Sequence, residues 1–251
     1  MNEILCRQLA VDYCCSPDDV LDHRNHFAVH QFLPGRRRFQ EGKECFLKIA
    51  VINGKLLFAG SEKILPWCRE NYERSGSEWF FEAKNLRRLN DRLHQDGYQI
   101  ETAHPFFLAD RITGVSSDGY EIRRFVGPEI EQFRGDVRFD EAFAFCPDAP
   151  DEIGLAALRD GVILGMAGAS SDSPAMWQIG INVSPDAGNS GIGRMLVTLL
   201  KNELLQKEIL PFYGTSMSHI ASQRVALGAG FVPAWAELAV SECSTDGRES
   251  L

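Results

Sequence analysis

The sequence lacks several features that would assign it to a large class of proteins. No apolar run reaches the length of about 18 residues that a membrane-spanning helix needs, and the first residues lack the basic-then-apolar order of a signal peptide. The seven cysteines are odd in number and include no Cys-x-x-Cys pair, which argues against a disulfide framework and a zinc ribbon. Free thiols fit a reducing compartment, so we expect a cytoplasmic protein.

Positive charge is also scarce. The 251-residue chain has a formal net charge of −9, and residues 129–251 hold 17 acidic and 8 basic residues. An acidic surface repels the phosphates of nucleic acids and attracts cationic small molecules. We therefore expect neither a nucleic-acid partner nor a membrane partner, and the composition leaves the oligomeric state open.

The chain is long enough, at 44% hydrophobic residues, for two modest lobes with separate cores. A small, polar segment from Gly114 to Gly119 is typical of a hinge. We therefore predict a first lobe over residues 1–120 and a second lobe over residues 121–251. Each lobe contains a hairpin signal, Asn53-Gly54 in the first and Asp160-Gly161 in the second, between short apolar runs.

The second lobe then alternates between strand and helix signals. From Gly191 onward, apolar residues recur at the spacing of one helical face. They are Ile192, Met195, Leu196, Leu199 and Leu200. The predicted elements after the hairpin are a strand over Trp177–Val183, a helix from Gly191, a strand over Ile209–Thr215, a helix from Ser218 or His219 to Leu227, and a strand over Phe231–Val240.

The loop that opens the first of these helices contains the most informative motif. It reads Val183-Ser-Pro-Asp-Ala-Gly-Asn-Ser-Gly-Ile-Gly-Arg194, and its glycines allow a ligand to approach the backbone closely. The first N–H groups of a helix have no intrahelical partner and lie at the positive end of its dipole. A phosphate can therefore bind there by backbone contacts, and Arg194 can add a charged one.

Two common phosphate-binding motifs do not fit this loop. A P-loop needs Gly-Lys-Ser/Thr, whereas Gly193 is followed by Arg194 and Met195. A dinucleotide-binding loop needs a third glycine at position 196, which is Leu196. A plain glycine-rich turn between a strand and a helix remains the alternative.

The order of strand, Val-x-Pro, loop, Gly-x-Gly and amphipathic helix resembles the acetyl-CoA motif of the GNAT superfamily of N-acetyltransferases. Gly191 and Gly193 match its two glycines, while Gly188 replaces the usual Gln or Arg. A second motif in the family has Asn, a small residue three positions later, and Gly-Phe. Here it reads His219, Ser222 and Gly230-Phe231, with His in place of Asn.

The resemblance implies an α/β (α+β) GNAT fold, with a mixed, mostly antiparallel sheet flanked by helices. It implies a GNAT acetyltransferase domain over 121–251 and a degenerate GNAT-like lobe without a cofactor site over 1–120. The activity implied is acetyl transfer from acetyl-CoA, the co-substrate, to a primary amine of a small molecule or peptide by direct attack. The implied coenzyme A contacts are Ile181, Val183, Gly188, Asn189, Ser190, Gly191, Ile192, Gly193, Arg194 and Ser222.

Acid–base chemistry is where the sequence departs from the family. Many members have a tyrosine four residues before Gly-Phe, at the position of Ala226 here, and strand 176–183 contains no carboxylate. The catalytic candidates are His219, whose unperturbed pKa is about 6.5, and Ser216. Ser222 and Tyr213 are further replacements. A non-catalytic acyl-CoA-binding sensor or interaction module of GNAT fold is the alternative function.

Three histidines in the first lobe are candidates for a metal site. His23, His26 and His30 have helical spacing after the Ser16-Pro17 cap signal, so they would share one helix face. No nearby cysteine or catalytic glutamate completes a ligand set. We therefore expect no metal.

Overall fold

The computed structural model describes residues 1–37, 45–187 and 190–243. Within these ranges the helices are α1 (Glu3–Asp12), α2 (Pro17–Leu21), α3 (Leu65–Tyr72), α4 (Ala83–His94), α5 (Ile192–Gln206) and α6 (Ile220–Gly228). The strands are β1 (His26–Val29), β2 (Leu47–Ile52), β3 (Lys55–Gly60), β4 (Tyr98–Leu108), β5 (Glu121–Val126), β6 (Asp151–Arg159), β7 (Val162–Ser170), β8 (Met176–Val183), β9 (Leu210–Gly214) and β10 (Val232–Glu242). No helix of these ranges is long and apolar enough to cross a membrane.

The chain forms two compact units, one from residues 1–34, 39–105 and 235–251 and the other from residues 35–38 and 106–234. These units divide the chain differently from the predicted division at residue 120. The chain leaves the first unit within β4 and returns to it within β10. It returns because β10 pairs antiparallel with β2, where Leu238 lies opposite Ile49. Sequence signals for single elements do not reveal such long-range pairing.

The first unit has the strand order β1-β3-β2-β10-β4. The predicted hairpin of β2 and β3 is confirmed, because Asn53 and Gly54 adopt the positive φ values of 48° and 78° that a two-residue primed turn requires. Helices α3 and α4 bury apolar residues such as Cys68 and Leu89 in the core of this unit.

The helix that follows Ser16 is shorter than the histidine spacing suggests. Ser16 caps the helix as expected, through a capping box with Asp19, but α2 ends at Leu21 and β1 starts at His26. The prediction that His23, His26 and His30 share a helix face is therefore wrong, because β1 extends to pair in parallel with β3. Among the described residues, no group of three His, Cys, Asp or Glu side chains could hold a metal ion.

The second unit has the strand order β4-β9-β8-β7-β6-β5, to which β4 contributes its last three residues. Its strands form a mixed sheet flanked by helices, in which β8 and β9 are parallel and the other pairs are antiparallel. The predicted hairpin of β6 and β7 is confirmed, with φ values of 52° at Asp160 and 76° at Gly161. Residues Ile181 and Val183 of β8 pack against the same core as α5.

Helix α5 buries the face that its spacing predicts. Ile192, Met195, Leu196 and Leu200 are buried, and Leu199 is half-buried. Each fully buried side chain of this kind contributes about 1.5–3 kcal/mol relative to an exposed one. Lys201, on the same helix, is completely buried.

Candidate functional site

Strands β8 and β9 are paired over only a short stretch. Met176 lies opposite Leu210 and Gln178 opposite Phe212, and the register ends there although β8 continues to Val183. Within the described ranges, residues 179–183 thus have no partner on β9. The exposed backbone edge of a strand can pair with an extended ligand. The two parallel strands are therefore no longer paired at Ile181 and Val183.

The N-terminus of α5 lies just beyond the end of β8. Its N-cap residue, Gly191, has a φ of 82°, and a Cβ atom at this position would meet nothing within 4 Å. The first intrahelical bond runs from the N–H of Met195 to the carbonyl oxygen of Gly191, at 3.0 Å. The N–H groups of residues 191–194 are therefore available to an anion, whereas the N–H of Ser190 donates to the carbonyl oxygen of Ala187 at 3.4 Å.

No side chain of the described residues caps this helix, and its first turn contains no acidic residue. Helices α1 and α2, in contrast, are capped by Asn2 and Ser16. Ser190 donates its hydroxyl hydrogen bond to the carbonyl oxygen of Ala187 at 2.5 Å, which fixes the end of the loop. The predicted contacts Gly188 and Asn189 lie outside the described residues.

Gly193 allows α5 to approach β8 and α6 closely. A Cβ atom at this position would stand 3.2 Å from Val183 and 3.4 Å from Val225. The missing side chain thus brings the first turn of the helix against the free edge of β8. Ile181, Val183, Gly191, Ile192 and Gly193 consequently lie close to one another.

Arg194 supplies a cationic side chain beside these N–H groups. Its aliphatic part lies on Gly228, since a Cβ atom at 228 would stand 2.9 Å from Arg194 Cδ. Arg194 is exposed and forms no ion pair with another described residue. A cavity of about 600 Å³ opens here. Its lining residues are Thr113, Gly114, Val115, Ser116, Asp118, Tyr120, Ser190, Gly191, Ile192, Arg194, Met195, Thr198, Leu227, Gly228, Ala229 and Gly230.

The two predicted catalytic residues lie together where α6 begins. His219 is the N-cap residue of α6, is exposed, and does not cap the helix with its side chain. The hydroxyl of Ser216 lies 3.1 Å from that of Ser218. The Gln223 side chain donates to the carbonyl oxygens of Ser216 and Met217 and so stabilises this turn. No hydrogen bond or ion pair of the described residues joins His219 to the N-terminus of α5 at Gly191.

Tyr213 and Ser222 form a buried pair between β9 and α6. Their hydroxyl oxygens are 2.8 Å apart, and only 2% of Tyr213 is exposed. Burial raises the pKa of Tyr213, the bond to Ser222 opposes this rise, and the charge of Glu141 adds to it. The phenol therefore keeps its proton at neutral pH. Ala226, which stands at the position of the family's tyrosine, is completely buried.

Glu141 brings a carboxylate to strand β8 from outside it. A Cβ atom at Gly180 would stand 1.9 Å from the carbonyl oxygen of Glu141, so the two backbones are in direct contact. The N–H groups of Glu141 and Ala142 both donate to Asn182 Oδ1, at 3.0 and 2.7 Å. Glu141 is exposed, forms no ion pair with the described residues, and acts electrostatically on Tyr213.

Sequence reasoning missed Glu141, because it considered carboxylates only on the strand itself. The available signal was a pair of glycines, Gly168 and Gly180, which lie opposite each other on β7 and β8. A Cβ atom at Gly168 would stand 1.9 Å from the carbonyl oxygen of Ala142. Adjacent glycines in neighbouring strands indicate that another backbone crosses the sheet.

Residues 120–231 match the family model described as Acetyltransferase (GNAT) family. No curated protein matches the chain. Solved structures that it resembles include a GCN5-related N-acetyltransferase-like protein from Streptococcus suis, at 12% identity over 82% of this chain and 88% of that one, with a TM-score of 0.46.

Two further structures are similar over smaller parts. One is a GCN5-related N-acetyltransferase from Sphaerobacter thermophilus, at 15% identity over 65% of this chain and 57% of that one, with a TM-score of 0.46. The other is yncA from Salmonella typhimurium with its cofactor acetyl-CoA, at 16% identity over 38% of this chain and 67% of that one, with a TM-score of 0.31. At these identities the likeness says nothing about activity.

Proposed function

Because residues 120–231 form a domain of the acetyltransferase (GNAT) family, we propose that this chain transfers an acetyl group from acetyl-CoA to a primary amine of a small molecule or peptide. The observation that carries the proposal is the junction of two features. The uncapped N-terminus of α5 adjoins the strand edge at Ile181 and Val183. The helix N-terminus suits a pyrophosphate, and the strand edge suits an extended arm that contains amides. These two groups are consecutive parts of coenzyme A.

The residues present suit this ligand. Gly191 leaves open space at the helix end, the first turn is free of acidic residues, and Arg194 is available for a charged hydrogen bond. We assign the pyrophosphate to the N–H groups of residues 191–194 and the arm to the edge of β8. Ser222, a coenzyme A contact expected from the sequence, is buried beside Tyr213 and is not among the residues that line the cavity.

When bound, acetyl-CoA supplies an activated thioester, and the chain must manage two protons. An amine attacks only in its neutral form, so a base has to accept the proton that an ammonium group carries. Glu141 is the candidate, because it is exposed, lies without an ion-pair partner among the described residues, and is fixed against β8 by Asn182. Its charge also attracts a cationic acceptor.

The departing sulfur needs a proton in return. Tyr213 is protonated at neutral pH because burial raises its pKa, and it lies on β9 at the end of the paired stretch. We therefore assign the role of general acid to Tyr213, with Ser222 as the partner that orients its hydroxyl. His219 and Ser216, which are the candidates from the sequence, are less suitable because no hydrogen bond of the described residues joins either of them to β8.

The replacement of the family's tyrosine by the buried Ala226 supports a second candidate function. In this alternative, the chain binds acyl-CoA without turnover, as a sensor or interaction module. Both functions predict binding, and they differ only in whether an acceptor releases the coenzyme A thiol.

The test therefore has two stages. Acetyl-CoA at about 100 times its Kd should raise the free energy of unfolding by about 2.7 kcal/mol, which a denaturant titration measures. Thiol release is then followed across a panel of amines. Glu141→Gln, which keeps the size of the side chain, should lower kcat/KM by about 100-fold and leave acetyl-CoA affinity unchanged.

The outcomes separate the two functions. Binding that persists while no amine releases thiol would favour the sensor. A protein whose stability does not respond to acetyl-CoA, coenzyme A or longer acyl-CoAs would contradict both functions.

A further inference from the structure

The segment between β4 and β5 is tied to α5 through one residue, Thr113. Its N–H donates to Asn202 Oδ1 at 3.1 Å, and its carbonyl oxygen accepts from Asn202 Nδ2 at 2.7 Å. Its hydroxyl accepts from Lys201 Nζ at 2.7 Å. Residues 113–120, which we name the strap, are therefore held at their first residue by two consecutive side chains of α5.

Lys201 is an unusual residue for this position. It is completely buried, and its second hydrogen bond goes to the carbonyl oxygen of Ala229 at 2.9 Å. Burial lowers its pKa, and no carboxylate of the described residues pairs with it. Burying an ammonium group without a counter-ion is unfavourable, whereas a leucine or methionine would suit the apolar face of α5. Stability alone therefore does not explain the lysine.

Gly230 shows how closely these groups converge. A Cβ atom there would stand 3.4 Å from Lys201 Nζ and 3.6 Å from Thr113 Cγ2. The φ of Gly230 is 90°, a backbone conformation that other residues rarely adopt. The end of α6, the ammonium group and the strap thus meet at one tightly packed point below the cavity.

The strap forms one wall of the cavity of about 600 Å³ that opens beside Gly191 and Arg194. A volume of this size is in the range of about 300–1,000 Å³ for small-molecule sites. In acetyl-CoA the pyrophosphate joins the thioester arm to a 3′-phosphorylated adenosine. If the arm follows β8, the nucleotide leaves the helix end on the other side, where this cavity begins.

We propose that Lys201 is a positioning residue for acetyl-CoA: by holding Thr113, it fixes the strap as the outer wall of the cavity that receives the nucleotide end. This inference rests on the proposed function. Lys201 does not itself line the cavity, so it acts through the strap and not by contact with the ligand.

The experiment compares two ligands and three variants of the full chain. The ligands are acetyl-CoA and S-acetyl-4′-phosphopantetheine, which lacks the nucleotide. Thr113→Val keeps the shape of the side chain but removes the hydroxyl, Thr113→Ser keeps the hydroxyl, and Lys201→Met removes the ammonium group. Kd is measured by calorimetry, and release of the strap by the rate of tryptic cleavage at the exposed Arg111.

We expect Thr113→Val and Lys201→Met each to raise the Kd of acetyl-CoA by roughly tenfold, as for the loss of a charged hydrogen bond. The Kd of S-acetyl-4′-phosphopantetheine should stay within about twofold, cleavage at Arg111 should accelerate, and Thr113→Ser should behave like the wild type. Lys201→Met should unfold at the same denaturant concentration as the wild type or a higher one. If the lysine had a merely structural role, its replacement would lower that concentration.

Three results would overturn the inference while leaving the proposed function in place. Both ligands could lose affinity equally, neither could lose affinity, or Thr113→Val alone could be affected, which would mean direct contact by Thr113. A wild-type protein that binds neither ligand would instead overturn the proposed function, and this inference with it.

Discussion

Replacing Gly191 tests the most specific feature of the candidate site. We consider two variants, Gly191→Asp and Gly191→Asn, which differ by a charge and hardly in shape. Both have to adopt the φ of 82° at the helix N-cap, and Asn and Asp are the side chains that tolerate this conformation best. A Cβ atom meets nothing within 4 Å there, so neither variant creates a clash.

The magnitude follows from electrostatics. A carboxylate at 191 would stand about 5 Å from a pyrophosphate bound to the helix N-terminus, and the repulsion at an effective dielectric constant of about 20 is about 3 kcal/mol for each charge. We therefore expect Gly191→Asp to raise the Kd of acetyl-CoA by more than about 100-fold. Gly191→Asn carries the same backbone cost without the charge and should lose about tenfold or less.

Calorimetric titration of acetyl-CoA measures both affinities, and a denaturant titration establishes that each variant is folded. The loss in Gly191→Asp should diminish at high salt, since screening weakens the repulsion between partly exposed charges. If the folded Gly191→Asp protein bound acetyl-CoA as tightly as Gly191→Asn, the pyrophosphate could not lie at this helix end, and its assignment to the N-terminus of α5 would be wrong.

Three further predictions concern the proposed acid, the packing beside β8 and an ion pair of the first unit. Tyr213→Phe should lower kcat by about 100-fold with acetyl-CoA affinity within about twofold, as measured by thiol release and calorimetry; an unchanged kcat would exclude Tyr213 as the acid. Gly180→Ala should lower the free energy of unfolding in urea by about 1–3 kcal/mol, because the new methyl group would collide with the backbone of Glu141. The bond from Lys63 is the main cause that holds the pKa of Asp96 below its usual value. This carboxylate therefore stabilises the fold above its unfolded pKa of about 3.9 and loses that effect as the pH falls through the lower folded value, so Asp96→Asn should flatten the decline in stability below about pH 4.

Short-range signals in the sequence predicted most elements of the fold. The Asp160-Gly161 turn, the apolar face that begins at Ile192 and the positive φ of Gly191 each depend on residues within a few positions of one another. The resemblance to a known family then related these elements to one ligand. Both the N-terminus of α5 and the strand edge of the candidate site could be predicted in this way.

Long-range contacts could not be predicted from the sequence. Lys201 is the only charged residue on the buried face of α5, and its partner Thr113 is 88 positions away. Glu141 reaches β8 only because Gly168 and Gly180 leave room for a crossing backbone. The last strand was predicted, but its place in the first unit depends on its pairing with β2. In each case the sequence contains the signal, such as a lone charge or paired glycines, but not the identity of the partner.

Turnover depends on which residue donates a proton to the departing sulfur. The family's position for an acid, on α6, contains the methyl group of Ala226, but a phenol from β9 reaches the same helix one turn earlier, at Ser222. If the Tyr213–Ser222 pair only packed α6 against β9, removing its hydroxyls would lower stability by about 1 kcal/mol and leave kcat unchanged. If the pair supplies the proton, Tyr213→Phe must lower kcat while Ser222→Ala, which keeps the phenol, lowers it less. The ratio of these two effects separates a relocated acid from a buried hydrogen bond.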